Sequence, residues 1–129
     1  MKTAKLTFEV QKIFGVQYLP DHVQILMKLV RLIDKHFAQH RSPMFYADML
    51  SIHEPTLNRY SRMVLGKTVY QLIQEKIHYE AIKLLTITDW SVKRIAYEIG
   101  CCDPCYFNRC FKKKTGRTPR RFRLLVGGT

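Results

Sequence analysis

The spacing of apolar positions predicts an amphipathic helix between Asp21 and His40. Apolar residues recur there at steps of three and four, which places them on one helix face and leaves the other face polar. Asp21 followed by Gln24 resembles a capping box, so we expect the helix to begin there. The positions predicted to be buried are Val23, Leu26, Val30, Ile33 and Phe37.

Helical patterns continue along the rest of the chain. The sequence predicts a short helix over residues 45–50 and another over residues 55–66. A long helix comes next, which begins with a second capping box at Thr68 and Gln71 and keeps its period for about five turns.

Three further helix starts are predicted in the last third of the chain. Ser91 can cap a short helix that ends before Gly100. Asp103 and Thr118 are each followed by proline, a pairing typical of the first two positions of a helix. Because no convincing strand lies beyond residue 20, the predicted fold is all-α.

The two ends of the chain differ from this pattern. Apolar residues alternate over residues 6–10 as in a strand, and we interpret residues 1–20 as an N-terminal extension, a linker or a remnant of another domain. Residues 124–129 end in two glycines and a threonine and are predicted to form a flexible tail. Residues 21–123 are expected to form one cooperative domain, because a chain of 129 residues that is 47% hydrophobic suffices for one core.

The chain contains an internal repeat of two helices and the turn between them. Offsets of 49 and then 50 residues align similar residues in the same order, which chance seldom produces. The sequence therefore predicts a duplicated helix-turn-helix unit, with one copy longer by one residue. The matched pairs are Ala47 and Ala96, Leu50 and Ile99, Glu54 and Asp103, Pro55 and Pro104, Leu57 and Phe107, Asn58-Arg59 and Asn108-Arg109, Gly66 and Gly116, and Thr68 and Thr118.

The polar faces of the two copies favour a nucleic-acid partner over a protein-binding repeat scaffold. Successive residues of a helix are rotated by about 100°, so a residue two positions after an inward one lies on roughly the opposite side. When Leu57 and Phe107 point inward, the arginine two residues after each therefore points outward. These arginines are Arg59 and Arg109, each with an asparagine before it and a further cation three residues later. Arginine can bond in a bidentate manner to guanine and asparagine to adenine. A charged face that is merely solvated is the simpler interpretation of either copy taken alone. The same asparagine, arginine and further cation occur in both copies, and this recurrence argues against that interpretation.

The net charge of the chain also favours a nucleic-acid partner. Lysine and arginine total 22 against 10 acidic residues, which gives a formal net charge of +12. This balance favours a polyanionic partner, although a basic protein with no nucleic-acid role is the alternative. We expect duplex binding to weaken steeply with salt because of the cations near the C-terminus. They are Lys112, Lys113, Lys114, Arg117, Arg120, Arg121 and Arg123.

The second copy closely resembles the signature of the AraC/XylS family, and with the weaker first copy the resemblance covers about residues 22–123. It implies a seven-helix domain in which a long linker helix joins two helix-turn-helix motifs. Such domains place their recognition helices in successive major grooves of double-stranded DNA and usually activate transcription in contact with RNA polymerase. The residues that carry the resemblance are Ser91-Val92-Lys93-Arg94-Ile95-Ala96-Tyr97-Glu98-Ile99-Gly100, Asp103, Tyr106-Phe107-Asn108-Arg109, Phe111-Lys112-Lys113, Gly116, Thr118-Pro119 and Phe122-Arg123.

By position, the resemblance implies DNA-binding residues on both recognition helices. Those on the first helix are Thr56, Asn58, Arg59 and Arg62. Those on the second helix are Pro104, Cys105, Asn108, Arg109, Lys112 and Lys113.

The chain departs from the family pattern around the two turns. Cys101 stands where an aromatic residue commonly comes after the glycine, which weakens an apolar contact between helices. Ser51 stands where glycine is common, and Pro55 opens the first recognition helix. A sensor domain often precedes the family's DNA-binding domain, so the short N-terminal extension indicates either a sensor that is absent from this chain or a stand-alone regulator.

Four cysteines within ten residues suggest a zinc or redox site as an alternative. Cys105 and Cys110 lie about 140° apart around a helix, so one faces outward and the other faces the core. We therefore expect reduced thiols and no metal. A thiol switch at Cys105 stays open as a variant of the DNA-binding hypothesis, because oxidation would place a bulky polar group on the outward face.

Other function classes find less support. The five histidines form no ligand motif, and no nucleophile elbow or phosphate loop is present, so we expect neither an enzyme nor a cofactor. No apolar run approaches the roughly 20 residues that span a bilayer, so we expect a cytoplasmic protein without membrane contact. An adaptor that binds or sequesters another protein is the remaining alternative, and sequence-dependent duplex binding would separate the two.

The duplicated motif and the long helix between its copies predict two contact regions on one duplex. A helix of about 19 residues is roughly 28 Å long, close to the ~34 Å between adjacent major grooves on one side of B-DNA. We therefore expect footprinting of the monomeric domain to show two protected regions about 10 base pairs apart. One short protected region, or none at any salt concentration, would contradict this expectation.

Overall fold

The computed structural model describes residues 19–127, and this part of the chain contains seven α-helices and no strand. The all-α, seven-helix prediction is therefore confirmed, whereas the strand-like pattern over residues 6–10 lies outside the described residues. The helices are α1 (Asp21–His36), α2 (Pro43–Met49), α3 (Glu54–Leu65), α4 (Val69–Ile87), α5 (Val92–Glu98), α6 (Pro104–Thr115) and α7 (Pro119–Val126).

The described chain divides into two compact units, and one cooperative domain over residues 21–123 stays a prediction. Within the described residues, the first unit contains residues 19–36 and 40–74, and the second contains residues 37–39 and 75–127. Each unit therefore holds one copy of the repeat, with α2 and α3 in the first and α5 and α6 in the second. The long helix α4 begins in the first unit and continues into the second.

The core of the first unit is built from one face of each helix. In α1 this face differs from the predicted one, because Leu29 is fully buried whereas Val30 is 43% exposed. The side chain of Tyr46 is buried in α2, and its hydroxyl donates to the carbonyl of His40 at 2.6 Å. Burial raises the pKa of Tyr46. The buried residues of the unit also include Val23, Leu26, Ile33, Ala47, Leu57, Ser61, Val69 and Ile73.

The core of the second unit is more aromatic. The rings of Phe107 and Phe111 are 5.9 Å apart, and Phe122 meets Phe111 edge-on at 5.3 Å. Cys101 is 8% exposed and fills the position where the family pattern has an aromatic residue. The other buried side chains of this unit are those of Ile77, Ala81, Leu85, Ile95, Ala96, Ile99 and Pro119.

Four of the predicted helix starts are capped as expected. The backbone N–H of Gln71 donates to Thr68 Oγ1 at 3.1 Å, and the N–H of Thr68 donates to Gln71 Oε1 at 2.8 Å, so this capping box is confirmed. The other caps are single bonds to the Ser91, Asp103 and Thr118 side chains, at 3.1, 2.9 and 3.3 Å respectively.

The predicted capping box at Asp21 and Gln24 is wrong. Asp21 is already the first residue of α1, and the carbonyl of Pro20 accepts from the N–H groups of Val23 and Gln24. The Gln24 amide instead donates to the carbonyl of Leu19 at 2.8 Å. Because the helix begins one residue earlier than predicted, the Asp21 side chain is not in the capping position.

The last helix extends beyond the predicted domain end. Residue 123 was the predicted boundary, whereas α7 continues to Val126. Residues 124–126, which we predicted to belong to a flexible tail, are therefore helical, and their side chains are exposed. Thr118 and Pro119 start this helix as predicted, so only its end was placed too early.

The structure locates the residue by which the two turns differ in length. The N–H of Ile52 donates to the carbonyl of Ala47 at 3.0 Å, and the N–H of Cys101 donates to that of Ala96 at 2.8 Å. These bonds correspond at an offset of 49, whereas α3 and α6, both 12 residues long, correspond at 50 throughout. Cys102 is therefore the additional residue, so Pro55 corresponds to Cys105 rather than to Pro104.

Both turns use a left-handed residue at equivalent positions. Gly100 has φ 86°, and Ser51, with φ 55°, is the one non-glycine residue with positive φ in residues 19–127. A serine in this conformation costs roughly 1–2 kcal/mol. At Gly100 space is also limiting, because a Cβ atom would lie 1.9 Å from the carbonyl oxygen of Ala38.

Two glycine substitutions separate the cost of a side chain in the left-handed conformation from the cost of a contact with the neighbouring backbone. Gly100→Ala and Gly116→Ala both place a side chain at positive φ, at 86° and 81°, but only the first meets a neighbouring backbone. We expect Gly116→Ala to lower the free energy of unfolding by about 1 kcal/mol and Gly100→Ala by at least about 3 kcal/mol. Urea denaturation measures both. Equal losses would show that the contact with Ala38 does not constrain the turn.

Candidate nucleic-acid interface

The recognition helices α3 and α6 each bury one face and expose the opposite one. In α3, Leu57 and Ser61 are buried, and in α6, Phe107 and Phe111 are buried. On the opposite sides cationic side chains are exposed, two in α3 and three in α6. They are Arg59 and Arg62 in α3 and Arg109, Lys112 and Lys113 in α6.

The two equivalent arginines have similar surroundings. The Arg59 guanidinium lies 5.7 Å from the centre of the Tyr60 ring, and that of Arg109 lies 5.9 Å from the centre of the Tyr106 ring. Each contact is a weak cation–π interaction with a residue of the same helix. Both arginines therefore project from their helices beside a tyrosine while the guanidinium remains exposed. Tyr106 is itself 53% exposed, and the sequence analysis did not select it.

The two asparagines that the repeat aligns have different roles in the structure. Asn58 is half-buried, and its Oδ1 accepts from the N–H of Val69 at the start of α4, at 3.0 Å. A bidentate contact with adenine needs both the oxygen and the nitrogen of the amide, and in Asn58 the bond to Val69 fixes the amide and uses one acceptor site of its oxygen. Asn108 has Pro119 at the corresponding place, which has no N–H to donate. The proline was the sequence signal for this difference.

The N-terminal turns of the recognition helices also differ. Asp103 accepts from the N–H of Cys105 at 2.9 Å, whereas the His53 side chain at the equivalent position forms no cap bond. Cys105 is exposed, and Pro104 is half-buried at the first helical position. Thr56 in the first turn of α3 is half-buried.

The cysteines lie in different environments. Cys101 is buried and its thiol contacts the carbonyl oxygen of Asp103 at 3.2 Å, whereas Cys102 and Cys105 are exposed and Cys110 is half-buried. All four are free thiols. Over residues 19–127, no three His, Cys, Asp or Glu side chains come together in a group that could hold a metal ion.

The lysines in the last turn of α6 are exposed but do not share one environment. Lys112 and Lys113 project toward solvent. Lys114 lies close enough to His78 of α4 for its charge to lower the pKa of that imidazole, adding to the larger effect of burial. The His78 ring packs 5.5 Å from the ring of Phe111. Lys114 therefore borders the packed side of α6, as the helical phase predicts.

Arg123 differs from the other cations near the C-terminus. Its guanidinium donates to the carbonyl oxygens of Leu85, Trp90 and Thr88 at 3.1, 2.6 and 3.4 Å. These carbonyls lie at the C-terminal end of α4 and in the turn after it, where a cation also complements the helix dipole. Arg123 is therefore half-buried and holds α7 to the end of α4, which removes it from the set of residues expected to bind phosphate.

The chain resembles proteins that regulate transcription. Residues 46–124 match the family described as Helix-turn-helix domain. The chain is 33% identical over 97 residues to the bifunctional transcriptional activator/DNA repair enzyme AdaA of Bacillus subtilis (strain 168), a match that covers 75% of the chain and 46% of AdaA. It is 31% identical over 108 residues to the HTH-type transcriptional activator RhaS of Enterobacter sp. (strain 638), covering 84% of the chain and 39% of RhaS.

A solved structure has the same fold. The C-terminal domain of AraT, a response regulator from Geobacillus stearothermophilus, matches with a TM-score of 0.73 at 27% identity, covering 78% of the chain and 84% of that domain. The chain spans less than half the length of the two curated relatives. Within residues 19–127, no helix combines the length and the apolar character needed to cross a bilayer.

The role of Arg123 can be separated from that of a surface cation. Arg123→Gln and Arg120→Gln remove the same charge, but only Arg123 bonds to three carbonyl oxygens. We expect Arg123→Gln to lower the free energy of unfolding by about 2 kcal/mol, because three partly buried carbonyls lose a charged donor. Arg120→Gln should change it by less than about 0.5 kcal/mol. Thermal denaturation followed by circular dichroism measures both, and similar losses for the two variants would refute the assignment.

Proposed function

Because the chain belongs to the AraC/XylS family and carries its C-terminal helix-turn-helix DNA-binding domain, we propose that it is a sequence-specific transcription regulator and that it acts as an activator. The observation that carries the proposal is the pair of exposed arginines at equivalent positions of α3 and α6. A helix-turn-helix domain places its second helix in the major groove with side chains toward the base edges. Arg59 and Arg109 project from those helices.

The chemistry of the two arginines suits base recognition. A guanidinium can donate two parallel hydrogen bonds to O6 and N7 of guanine, which is the commonest specific contact in the major groove. Asn108, whose amide is not required to cap α7, is proposed to contact adenine. Thr56, Pro104 and Cys105 lie in the first turns of the recognition helices and are proposed to contact the duplex there. Asn58 is proposed to contact the duplex only through its amide nitrogen, since its oxygen is bonded to Val69.

Exposed cations in the last turns of α3 and α6, in the turn after α6 and at the start of α7 are proposed to bind phosphate. Phosphate contacts fix the orientation of a protein on the duplex but carry no sequence information. They also make affinity depend on salt, because each neutralised phosphate releases counterions. The residues proposed for this role are Arg62, Lys112, Lys113, Arg117, Arg120 and Arg121, all of which are exposed.

Family membership suggests partners beyond DNA. We propose contact with RNA polymerase, activity in the cytoplasm and control by a signal that another segment or protein senses. RhaS is an activator by name, and AdaA combines activation with DNA repair. The repair activity of AdaA is not proposed for this chain. A domain that binds a protein instead of DNA is the competing function, and it predicts no preference among duplexes.

The base-reading assignment can be tested with three alanine variants. We expect Arg109→Ala and Arg59→Ala each to cost about 1–3 kcal/mol in binding to the preferred duplex relative to a scrambled one. Lys114→Ala should leave that specificity ratio unchanged, because Lys114 borders the packed side of α6 beside His78. The loss at Arg109 should be at least as large as that at Arg59, because Pro55 alters the start of α3.

The measurement first selects preferred duplexes from a random pool and then compares them with scrambled duplexes by competition binding. Circular dichroism of each variant controls for folding. If both arginine variants keep the full specificity ratio while Lys114→Ala loses it, the assigned face is wrong. If the unmodified protein prefers no duplex, the proposed function itself fails.

A further inference from the structure

The two units carry very different charges at equivalent positions. The structural register pairs α2 with α5 at an offset of 49 residues, and it pairs α3 with α6 and the start of α4 with α7 at an offset of 50. In this register three exposed cations of the second unit correspond to exposed apolar or aromatic side chains of the first. The pairs are Lys93 with Met44, Lys113 with Met63, and Arg120 with Tyr70.

The first-unit residues of these pairs are not core residues. Met44 is 52% exposed, Met63 is 61% exposed and Tyr70 is 56% exposed. Solvent-facing positions therefore carry apolar groups in one copy and positive charges in the other. Packing cannot account for the difference, since neither member of a pair is buried.

Three further exposed cations of the second unit also have uncharged counterparts in the first unit. Arg94, Lys114 and Arg121 of the second unit correspond to uncharged residues of the first. The residues they correspond to are Phe45, Val64 and Gln71. Charge is retained in both copies at three pairs only: Arg59 with Arg109, Arg62 with Lys112, and Lys67 with Arg117. The first unit thus keeps the outward arginine of its recognition helix and lacks most of the cations around it.

This asymmetry matters for DNA binding because the two kinds of contact do different things. A cation beside the phosphates strengthens binding to every duplex and steepens its salt dependence, whereas a base contact strengthens binding to matching duplexes only. A unit with an outward arginine and few other cations can therefore discriminate between sequences while adding little general affinity.

We propose, on the basis of the proposed function, that the two units divide DNA binding between them. The second unit supplies most of the phosphate contacts and hence most of the affinity and salt dependence. The first unit is a low-charge recognition unit that contributes mainly through its base contacts. Lys93 joins Lys113 and Arg120 as a phosphate-binding residue, and Met44, Met63 and Tyr70 stand at the corresponding positions of the first unit without binding phosphate.

Exchanging residues between equivalent positions tests the division directly. One variant removes charge from the second unit by Lys93→Met, Lys113→Met and Arg120→Tyr. A second variant adds charge to the first unit by Met44→Lys, Met63→Lys and Tyr70→Arg. All six positions are exposed, so the fold is expected to tolerate both sets, and circular dichroism verifies this.

A third variant controls for net charge. It adds three lysines by Val30→Lys, Tyr79→Lys and Ile87→Lys, at positions in α1 and α4 that are 43%, 61% and 65% exposed. It therefore has the same net charge as the second variant, with the added cations outside the two helix-turn-helix motifs. Fluorescence anisotropy gives the affinity of each protein for the preferred and the scrambled duplex over a series of salt concentrations.

The division predicts distinct salt slopes. Removing the three cations should reduce the slope of log affinity against log salt by up to about 2.7 and weaken binding to both duplexes by a similar factor, so that the specificity ratio changes little. Adding cations to the first unit should increase the slope by up to about 2.7, and the control should increase it far less.

Two results would overturn the division. One is an unchanged slope when the second unit loses its three cations. The other is an equal increase for the second variant and the control, which would mean that overall charge and not position sets the affinity. Failure of the unmodified protein to bind any duplex is a different result, because it removes the proposed function and not only the division.

Discussion

One backbone hydrogen bond in each helix-turn-helix closes the turn that leads to its recognition helix. It runs from the N–H of Ile52 or Cys101 to the carbonyl of an alanine five residues earlier. Both alanines, Ala47 and Ala96, are fully buried, and a larger side chain there would push the turn away from the first helix. The residue before each donor adopts a left-handed conformation, so the chain can reverse within a few residues. The outward direction of the arginines depends on this reversal.

The same bond accounts for the difference between the two copies. Because it is formed in both turns, the additional residue of the second copy must lie after it and before the helix starts. Cys102 occupies that place and is exposed, so it adds length without changing the buried contacts. The register is then restored over the whole of α6. The buried alanine before each turn and the glycine after each recognition helix are the same in both copies, while several solvent-facing positions have diverged in charge.

The sequence predicted those parts of the structure that depend on near neighbours. The helices, the reciprocal cap at Thr68 and Gln71, and the exposed arginines are all determined by residues a few positions apart. Two side-chain roles that it missed depend on contacts between residues farther apart in the sequence. The bonds of Arg123 to carbonyls 33 to 38 positions away have no local pattern, and without them the residue resembles its basic neighbours. The bond between Asn58 and Val69 joins residues 11 positions apart and likewise follows from no local sequence pattern.

That bond means that the two recognition helices are joined to the helices after them in different ways. In the first unit the Asn58 amide oxygen of α3 accepts from the first N–H of α4. In the second unit proline removes the corresponding donor, and α6 is connected to α7 by side-chain packing and the short link through Gly116. Separating the first recognition helix from the next helix therefore breaks a hydrogen bond that has no counterpart in the second unit.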